Sequence, residues 1–563
     1  MVLSPNETMA SPAFDSLNER MLIRFLDINP DMATMLGKHH PYDHFLPHGG
    51  VMRLQDNLRL LIDWNREAEQ LSTRETFSRD QLISLETLRM SLGLQKFALD
   101  DYPLWKMYPD ALEQPGWTIF TMMVREYAPL EDRMAGISSR MKQMPKYLEQ
   151  FRERFKDASA VRPWTLLAIN TCDAFPTFIS SVKALSLEKT SKDLQDELSG
   201  NCDKCAEAIK DHRDWLSTIL EGSTDDFAMG EESLAKLLRI RGFDLAPSQV
   251  VEIAERYLAD MTEERRAVAK KISPEGDEHT VTETIREDCG ETFEMVLQET
   301  IDEMKNAIGF IKERSLATID GRAVLDIMET PEFLRSALPV AALLMPAKFE
   351  KVQSGAYLMT RPRDAAEIPS LWNRSMIINT TVHEAYPGHF HQGVMSNTKP
   401  WMHQLPLMFL TSDTMTPSYE TGEGWAHYSE KMMYDEGFKA TDHAAMAMLD
   451  AGIWRACRAI YDVKLHTGKA TLEEMTKMLA EESNTLMSAA KDDVVGFSRS
   501  PGYPLSYLIG KHLVYELRNE VMRASGQGFD KKVFHDLLAE NGNLPFNLAR
   551  RVILEEMTGA NAH

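Results

Sequence analysis

The spacing of apolar residues predicts helices along most of the chain. In a helix that packs on one side, apolar residues recur every three or four positions, and several long segments show this pattern. These segments are residues 14–40, 54–100, 128–222, 246–314 and 404–560. Within the third of them, Pro145 suits a first helical turn, and Phe151 and Phe155 then lie on one face. We therefore expect a mostly α-helical protein.

The pattern changes after Pro331, where a small β element is predicted. Residues 349–360 alternate enough between apolar and polar side chains to form a strand or a hairpin. A loop over residues 361–369 separates this element from residues 374–383, which lead into the motif described below. The expected fold class is therefore mostly α, with a small β element near the candidate site.

Composition and charge narrow the classes of function. Of 563 residues, 43% are hydrophobic and 26% are charged, which is ordinary for a soluble globular enzyme of more than one packed region. The net charge of −23 argues against nucleic acid as a partner, because phosphate binding needs clustered Lys and Arg. No apolar run approaches the roughly 20 residues of a membrane helix, and the first residues lack the pattern of a signal peptide. Five cysteines suit a reducing compartment, so we expect a cytoplasmic protein without a membrane partner.

The main candidate for chemistry is Thr-Val-His-Glu-Ala-Tyr-Pro-Gly-His-Phe-His-Gln at residues 381–392. Two histidines, with a glutamate directly after the first, are typical of a hydrolytic zinc site. In the common form the two histidines are four residues apart and share a helix face. His383 and His389 are six apart, which on an unbroken helix is a rotation of about 600°. Because Pro387 and Gly388 lie between them, we expect the helix to break there and to return His389 toward His383.

A third metal ligand is expected from residues 419–430, Tyr-Glu-Thr-Gly-Glu-Gly-Trp-Ala-His-Tyr-Ser-Glu. Glu423 is the leading candidate, because it is far enough from the first motif to lie on a second helix that faces it. Glu420 precedes it, and His427 and Glu430 follow on the same face. One of these residues is expected to bind the metal while others orient the histidines; the alternative is that acidic residues simply favour a helix start. The residues that remain as alternative or additional ligands are His391, Glu420 and His427.

Both motifs resemble those of the family known as domain of unknown function 885. Residues 383–392 are similar to its His-Glu-x-x-Pro-Gly-His-x-x-Gln signature, and residues 423–430 to its Glu-Gly-Trp-Ala-x-Tyr-x-Glu block. The resemblance extends to blocks at residues 29–37 and 499–510, so it spans nearly the whole chain. Members of the family look like gluzincin-type zinc hydrolases. The resemblance therefore implies a large helical, zincin-like fold with the β element beside the active-site helix.

The resemblance also implies roles for single residues. The Zn²⁺ ligands that it implies are His383, His389 and Glu423. It implies Glu384 as the general base and Tyr507 as a donor to the oxyanion, for which a plain buried aromatic is the alternative. The sequence departs from the family at Tyr503-Pro504, where Gln-Ala is common, and at His427, which is often apolar. These departures concern the substrate rather than the metal ligands.

The expected function is zinc-dependent hydrolysis of amide bonds, with short peptides as the expected substrates. Zinc would lower the pKa of water to roughly 7, and Glu384 would pass the proton to the leaving amine. His466 is a second candidate donor to the oxyanion, or else a helix cap. Candidate substrate-binding residues are Arg499, Tyr357 and Tyr503, with Arg361 and Arg363 as further arginines for a substrate carboxylate. The alternatives are an amidohydrolase or esterase acting on a small metabolite, and a metal-binding protein without catalytic activity.

The chain is expected to divide into two regions. Residues 1–330 form a helical N-terminal region, and residues 331–563 form the region that carries the candidate site. Together they would enclose one cleft. Metal-dependent peptidases commonly place an edge strand beside the ligand helix, where an extended peptide can pair with it.

Overall fold

The computed structural model describes residues 10–559, apart from 158–159, 276–277, 333–334, 336–337, 339 and 410–417. The structure is 71% helix and 4% strand, which confirms the mostly α class with a small β element. None of its described helices is long and apolar enough to cross a membrane.

A long series of helices precedes the sheet. They are α1 (Pro12–Ile28), α2 (Pro30–Met35), α3 (Met52–Ser72), α4 (Arg79–Lys96), α5 (Glu113–Val124), α6 (Leu130–Arg152), α7 (Arg162–Lys189), α8 (Lys192–Leu220), α9 (Glu231–Ile240), α10 (Pro247–Ile272), α11 (Glu278–Arg286) and α12 (Phe293–Arg314). Local chemistry sets their starts: the Ser11 hydroxyl accepts a hydrogen bond from Phe14 N at 3.0 Å, and Pro30 and Pro247 occupy first-turn positions.

A three-stranded sheet follows, made of β1 (Val324–Glu329), β2 (Ala341–Leu344) and β3 (Ser354–Met359). Strand β3 lies in the middle, parallel to β1 and antiparallel to β2, and it falls within the predicted residues 349–360. The pattern did not predict β1 or β2. Because β2 reads Ala-Ala-Leu-Leu, its composition suits a helix as well as a strand, and only pairing with β3 decides the matter.

The helices after the sheet carry the candidate site. They are α13 (Ile368–Trp372), α14 (Arg374–Glu384), α15 (His389–Ser396), α16 (Leu405–Met408), α17 (Tyr419–Asp435), α18 (Asp442–His466), α19 (Leu472–Glu482), α20 (Met487–Phe497), α21 (Ser506–Ser525), α22 (Lys531–Glu540) and α23 (Phe546–Thr558). Helices α14, α15, α17 and α21 surround the predicted motifs, and α18 packs against α14.

The hydrophobic cores are shared between the two expected regions. Helix α10 packs along α18, and one core contains Leu237 and Val250 together with Ile453 and Leu508. A second core combines α5 to α8 with Leu344 and Leu358 of the sheet. The site-bearing helices are therefore supported by side chains from both regions, and the boundary near residue 330 stays a prediction.

Candidate metal centre

The first motif is a broken helix, as predicted. Helix α14 ends at Glu384, and α15 begins at His389. Between them Gly388 N donates a hydrogen bond to Val382 O at 3.0 Å, so the chain folds back onto the end of α14. A Cβ atom on Gly388 would lie 1.7 Å from His383 O, which leaves room only for glycine. The expected interruption at Pro387-Gly388 is confirmed.

The break brings three potential metal ligands together. Glu423 Oε2 lies 3.6 Å from His383 Nε2 and 3.1 Å from His389 Nε2, and the two imidazole rings meet edge to face with centroids 4.8 Å apart. These are the residues of the one group in the described chain whose ligand atoms lie within 4.8 Å of one another and suit a metal ion. His383 and Glu423 are buried, whereas the side chain of His389 keeps 16% of its exposed area. His389 is thus the most exposed side chain of the three.

Helix α17 can approach the first motif because it crosses α21 at two glycines. A Cβ atom on Gly424 would lie 2.4 Å from the carbonyl carbon of Gly510, so the two backbones touch. The Trp425 indole N–H donates to Pro387 O at 2.8 Å, which ties α17 to the break. These contacts place Glu423, between Gly422 and Gly424, opposite the two histidines.

Glu430 is not one of the candidate ligands; it orients His383 through a contact with the ring nitrogen that faces away from Glu423. Its Oε1 lies 2.7 Å from His383 Nδ1, which leaves Nε2 to face Glu423. Arg455 pairs with the same oxygen at 3.0 Å, and the Asn379 amide donates to Oε2 at 3.2 Å. Burial acts to lower the pKa of His383, but its contacts with Glu423 and Glu430 outweigh burial and raise that pKa to about 9. Burial acts to raise the pKa of Glu423, but its interactions with His389 and His383 outweigh burial and hold that pKa well below its ordinary value.

The alternative ligands have other partners. Both ring nitrogens of His391 face backbone carbonyls, with Thr318 O at 2.8 Å and Pro387 O at 3.1 Å. Glu420 forms a fully buried pair with Arg241. His427 contacts Glu430 at 3.3 Å, and burial lowers the pKa of its imidazole to about 3.

Two tyrosines extend the centre on the side of Glu423. The Tyr503 hydroxyl donates to Glu423 Oε1 at 2.6 Å, and the Tyr507 hydroxyl donates to Tyr503 at 3.0 Å. The Tyr507 ring lies nearly parallel to that of His383, with centroids 6.3 Å apart. Burial and the charge of Glu423 raise the pKa of both phenols far above the ordinary value, so both stay protonated donors. Tyr503 thus contacts a candidate ligand, and its predicted contact with substrate stays a prediction.

The small sheet reaches the motif through Tyr357 of β3. This side chain is fully buried, and burial together with the nearby charge of Glu384 raises its pKa well above the ordinary value. Its hydroxyl has no hydrogen-bond partner among the described residues. Glu384 ends α14, directly after His383, and is 9% exposed. The predicted β element therefore lies beside the ligand helix.

Other predicted residues are placed among other partners. The His466 ring packs edge-on against Tyr102 and Phe227 and lies 3.6 Å from Asp462, and none of these contacts is to the metal-ligand group. Arg499 is held by Glu113 and by the Tyr108 hydroxyl, so it is already paired. Arg361 pairs with Glu329 and Glu294 on the surface, and Arg363 lies 3.7 Å from Asp492.

Sequence reasoning missed a clamp that holds the loop before α21. Arg241 donates to Gly502 O at 2.6 Å, while Asp462 accepts from the N–H groups of Gly502 and Leu505. Gly502 has a φ of +80°, and a Cβ there would lie 2.3 Å from the Arg241 guanidinium. The loop carries Tyr503 to Glu423. The sequence singles out this loop within the block at residues 499–510 but does not indicate the clamp, because Arg241 is 179 residues from its partner Glu420.

The fold and the site define the class as a helical protein with a small mixed sheet and a His-His-Glu group, in which His383 and Glu423 are buried and His389 is partly exposed. The chain belongs to the family described as bacterial protein of unknown function, DUF885, whose model matches residues 30–553. The expected family is thereby confirmed.

Two solved structures resemble this chain over 97% of its length. One is a putative lipoprotein of unknown function from Shewanella oneidensis, with 20% identity, a TM-score of 0.75 and 100% of that chain covered. The other is a putative lipoprotein from Colwellia psychrerythraea, with 16% identity, a TM-score of 0.79 and 99% of that chain covered. At these identities the likeness shows the fold alone. No curated protein matches the chain.

Proposed function

We propose that this protein is a zinc-dependent hydrolase of amide bonds, of the gluzincin type, that acts on short peptides. The observation that carries the proposal is the convergence of His383 Nε2, His389 Nε2 and Glu423 Oε2, with Glu384 directly after the first ligand. Tetrahedral zinc with bonds of 2.0–2.2 Å separates its ligand atoms by about 3.3–3.5 Å. The separations of 3.1 and 3.6 Å around Glu423 Oε2 bracket that range.

The mechanism follows from what each residue faces. His383, His389 and Glu423 would hold the zinc ion, which would act as a Lewis acid and would lower the pKa of a water molecule to roughly 7. Glu384 accepts a proton from the attacking water and delivers it to the leaving amine. Glu430 and Tyr503 fix the orientation of His383 and Glu423. Tyr507, stacked beside His383, is the donor proposed for the oxyanion.

Burial and the sheet support a short, extended substrate. The side chains of His383 and Glu423 are only 5% and 10% exposed, so a bulky folded protein has little access to these ligands. Among the described strands β2 pairs on one side only, which leaves an edge for an extended peptide. The cytoplasmic location stays a prediction; the names of the two similar structures favour testing the cell envelope as well.

Metal content tests the ligand set. We expect about one zinc per chain in the wild-type protein and a large loss in His389→Ala, since removal of one of three ligands opens the site. His391→Ala tests the neighbouring histidine, and His279→Ala, at an exposed position, controls for loss of an imidazole. Equal zinc in wild type and His389→Ala would show that the ligand set is wrong.

Hydrolysis tests the activity. Glu384→Gln should keep its zinc and lose about 10²–10⁴-fold in peptide turnover, because it removes only the proton carrier. A chelator should abolish turnover of the wild-type protein. Turnover of acyl conjugates without turnover of peptides would indicate an amidohydrolase or esterase. Bound zinc with no turnover on either panel would indicate a metal-binding protein without catalytic activity.

A further inference from the structure

A cavity opens between α14 and α18, close to the metal centre and distinct from it. Its volume is about 70 Å³, several times the roughly 10–15 Å³ that one water molecule requires. Its apolar wall is formed by Met376, Met446, Ala447, Ala451, Trp454 and Leu486. The residues that line it include none of the three candidate metal ligands.

Two helices connect this cavity to the metal centre. On α14, Met376 and His383 are seven residues apart, so they share a face and are separated by about 10 Å along the helix. On α18, Ala451 lies one turn before Arg455, which donates to Ala451 O at 3.0 Å and pairs with Glu430 at 3.0 Å. Since Glu430 in turn contacts His383, the cavity and the ligand are neighbours along both helices.

The sheet leads to the same cavity. Val340, which immediately precedes edge strand β2, belongs to its lining. An extended peptide paired with that edge would therefore run past the cavity. At about 3.3 Å per residue, a distance of about 10 Å corresponds to two or three residues of substrate.

The charges near the cavity are already neutralised. Asp450 accepts a hydrogen bond from Arg265 at 3.0 Å, and Arg286 pairs with Glu283 and donates to Asn484 O. The wall on α14 and α18 is aliphatic, aromatic and thioether, and methionines adapt to side chains of different shape. The rest of the lining adds uncharged hydroxyl and amide groups, from Thr282, Ser370, Asn373, Ser483, Asn484 and Thr485. Because Asp450 and Arg286 are already paired, a charged group entering here would lose its hydration without gaining a free ionic partner.

We propose that this cavity is the subsite for a bulky apolar side chain of the substrate, two or three residues from the cleaved bond. The proposal rests on the hydrolase function and narrows its substrates to peptides with a leucine-like or phenylalanine-like residue at that position. In this proposal one face of α14 carries both a candidate metal ligand, His383, and part of the subsite wall, Met376.

The test uses alanine pentapeptides in which one position at a time carries leucine, phenylalanine or aspartate. Ala447→Leu fills the cavity, and we expect kcat/KM for the leucine and phenylalanine peptides to fall about 10-fold or more, with the all-alanine peptide almost unchanged. Met376→Ala enlarges the cavity and should shift preference from leucine toward phenylalanine. Met522→Ala, at an exposed position, is the matched control. Zinc content and thermal stability are measured for every variant.

Equal changes for all peptides, or no preference for apolar residues in the wild type, would overturn the subsite. Binding to zinc-loaded Glu384→Gln, followed by calorimetry, separates this result from failure of the hydrolase proposal. Selective binding of the leucine peptide that Ala447→Leu abolishes, without wild-type hydrolysis, supports the subsite and overturns the hydrolase. Hydrolysis without selectivity supports the hydrolase and overturns the subsite.

Discussion

At the residue scale, two of the three candidate ligands are oriented by hydrogen bonds to residues outside the ligand group. Glu430 fixes the imidazole of His383, and Tyr503 occupies Oε1 of Glu423 so that Oε2 faces the histidines. Such outer contacts fix the orientation of ligands before the metal binds. Within the described part of the chain, His389 contacts Glu423 and the ring of His383, and neither contact orients it from outside the ligand group. The pre-organisation of the site therefore depends mainly on the partners of His383 and Glu423.

Removal of the Tyr503 hydroxyl should weaken metal binding. Tyr503→Phe keeps the ring but frees Glu423 Oε1, and we expect zinc affinity to fall about 10–100-fold. Competition with a chromophoric chelator measures the affinity. Tyr257→Phe loses a comparable hydroxyl contact, to His512, away from the group, and should bind zinc like the wild type. Unchanged affinity in Tyr503→Phe would show that this contact does not position the ligand.

At the element scale, glycines decide how closely the site-bearing segments approach. Gly388 lets the chain fold back onto the end of α14, and Gly424 and Gly510 let α17 and α21 touch through their backbones. Neither contact is possible with a Cβ atom in place. Helix α17 is further anchored to the break by Trp425. The metal-ligand group is therefore a product of close backbone packing as much as of the ligands themselves.

A pair of glycine substitutions tests this packing. Gly424→Ala should lower the free energy of unfolding by about 1–3 kcal/mol, because its Cβ would enter the backbone of α21. Gly309→Ala lies in α12 with nothing within 4 Å of the new Cβ, so the same change should stabilise by about 0.5–1 kcal/mol. Urea denaturation measures both values. Similar effects at the two positions would show that the α17–α21 contact is looser than the structure indicates.

At the scale of the whole molecule, the N-terminal region reaches into the site. Arg241, at the end of α9, holds both Glu420 on α17 and the loop that carries Tyr503. Arg499, just before that loop, is anchored by Glu113 of α5. Together with the core shared by α10 and α18, these contacts make the candidate metal centre depend on both parts of the chain.

Arg241 provides a test of that dependence. Arg241→Met leaves the carboxylate of Glu420 buried without its partner, which typically costs about 3–5 kcal/mol of unfolding free energy. The double change Arg241→Met and Glu420→Met should cost clearly less than the sum of the single changes, since no unpaired charge remains. Denaturant unfolding gives the coupling energy, and the zinc affinity of each variant shows whether release of Gly502 reaches the metal centre. Additive single changes would contradict the coupling.

The sequence by itself determined the local features. Helical periodicity, the strand within residues 349–360 and the break at Pro387-Gly388 follow from side-chain spacing and backbone sterics over a few residues. The two motifs also indicated His383, His389 and Glu423 as a group, and the family resemblance selected Glu423 among the nearby alternatives. Strand β2 was not, because its four residues suit more than one structure.

Only the tertiary structure decided the long-range partners. Nothing in the chain near Arg241, Arg455 or Tyr503 indicates that these residues support the metal-ligand group. The same holds for the partners of Arg499, predicted to bind substrate, and of His466, predicted as a donor to the oxyanion, because these partners lie far away in the sequence. A buried polar side chain forms a hydrogen bond with a group that packing places within about 3 Å of it. Which group lies there depends on contacts between residues far apart in sequence.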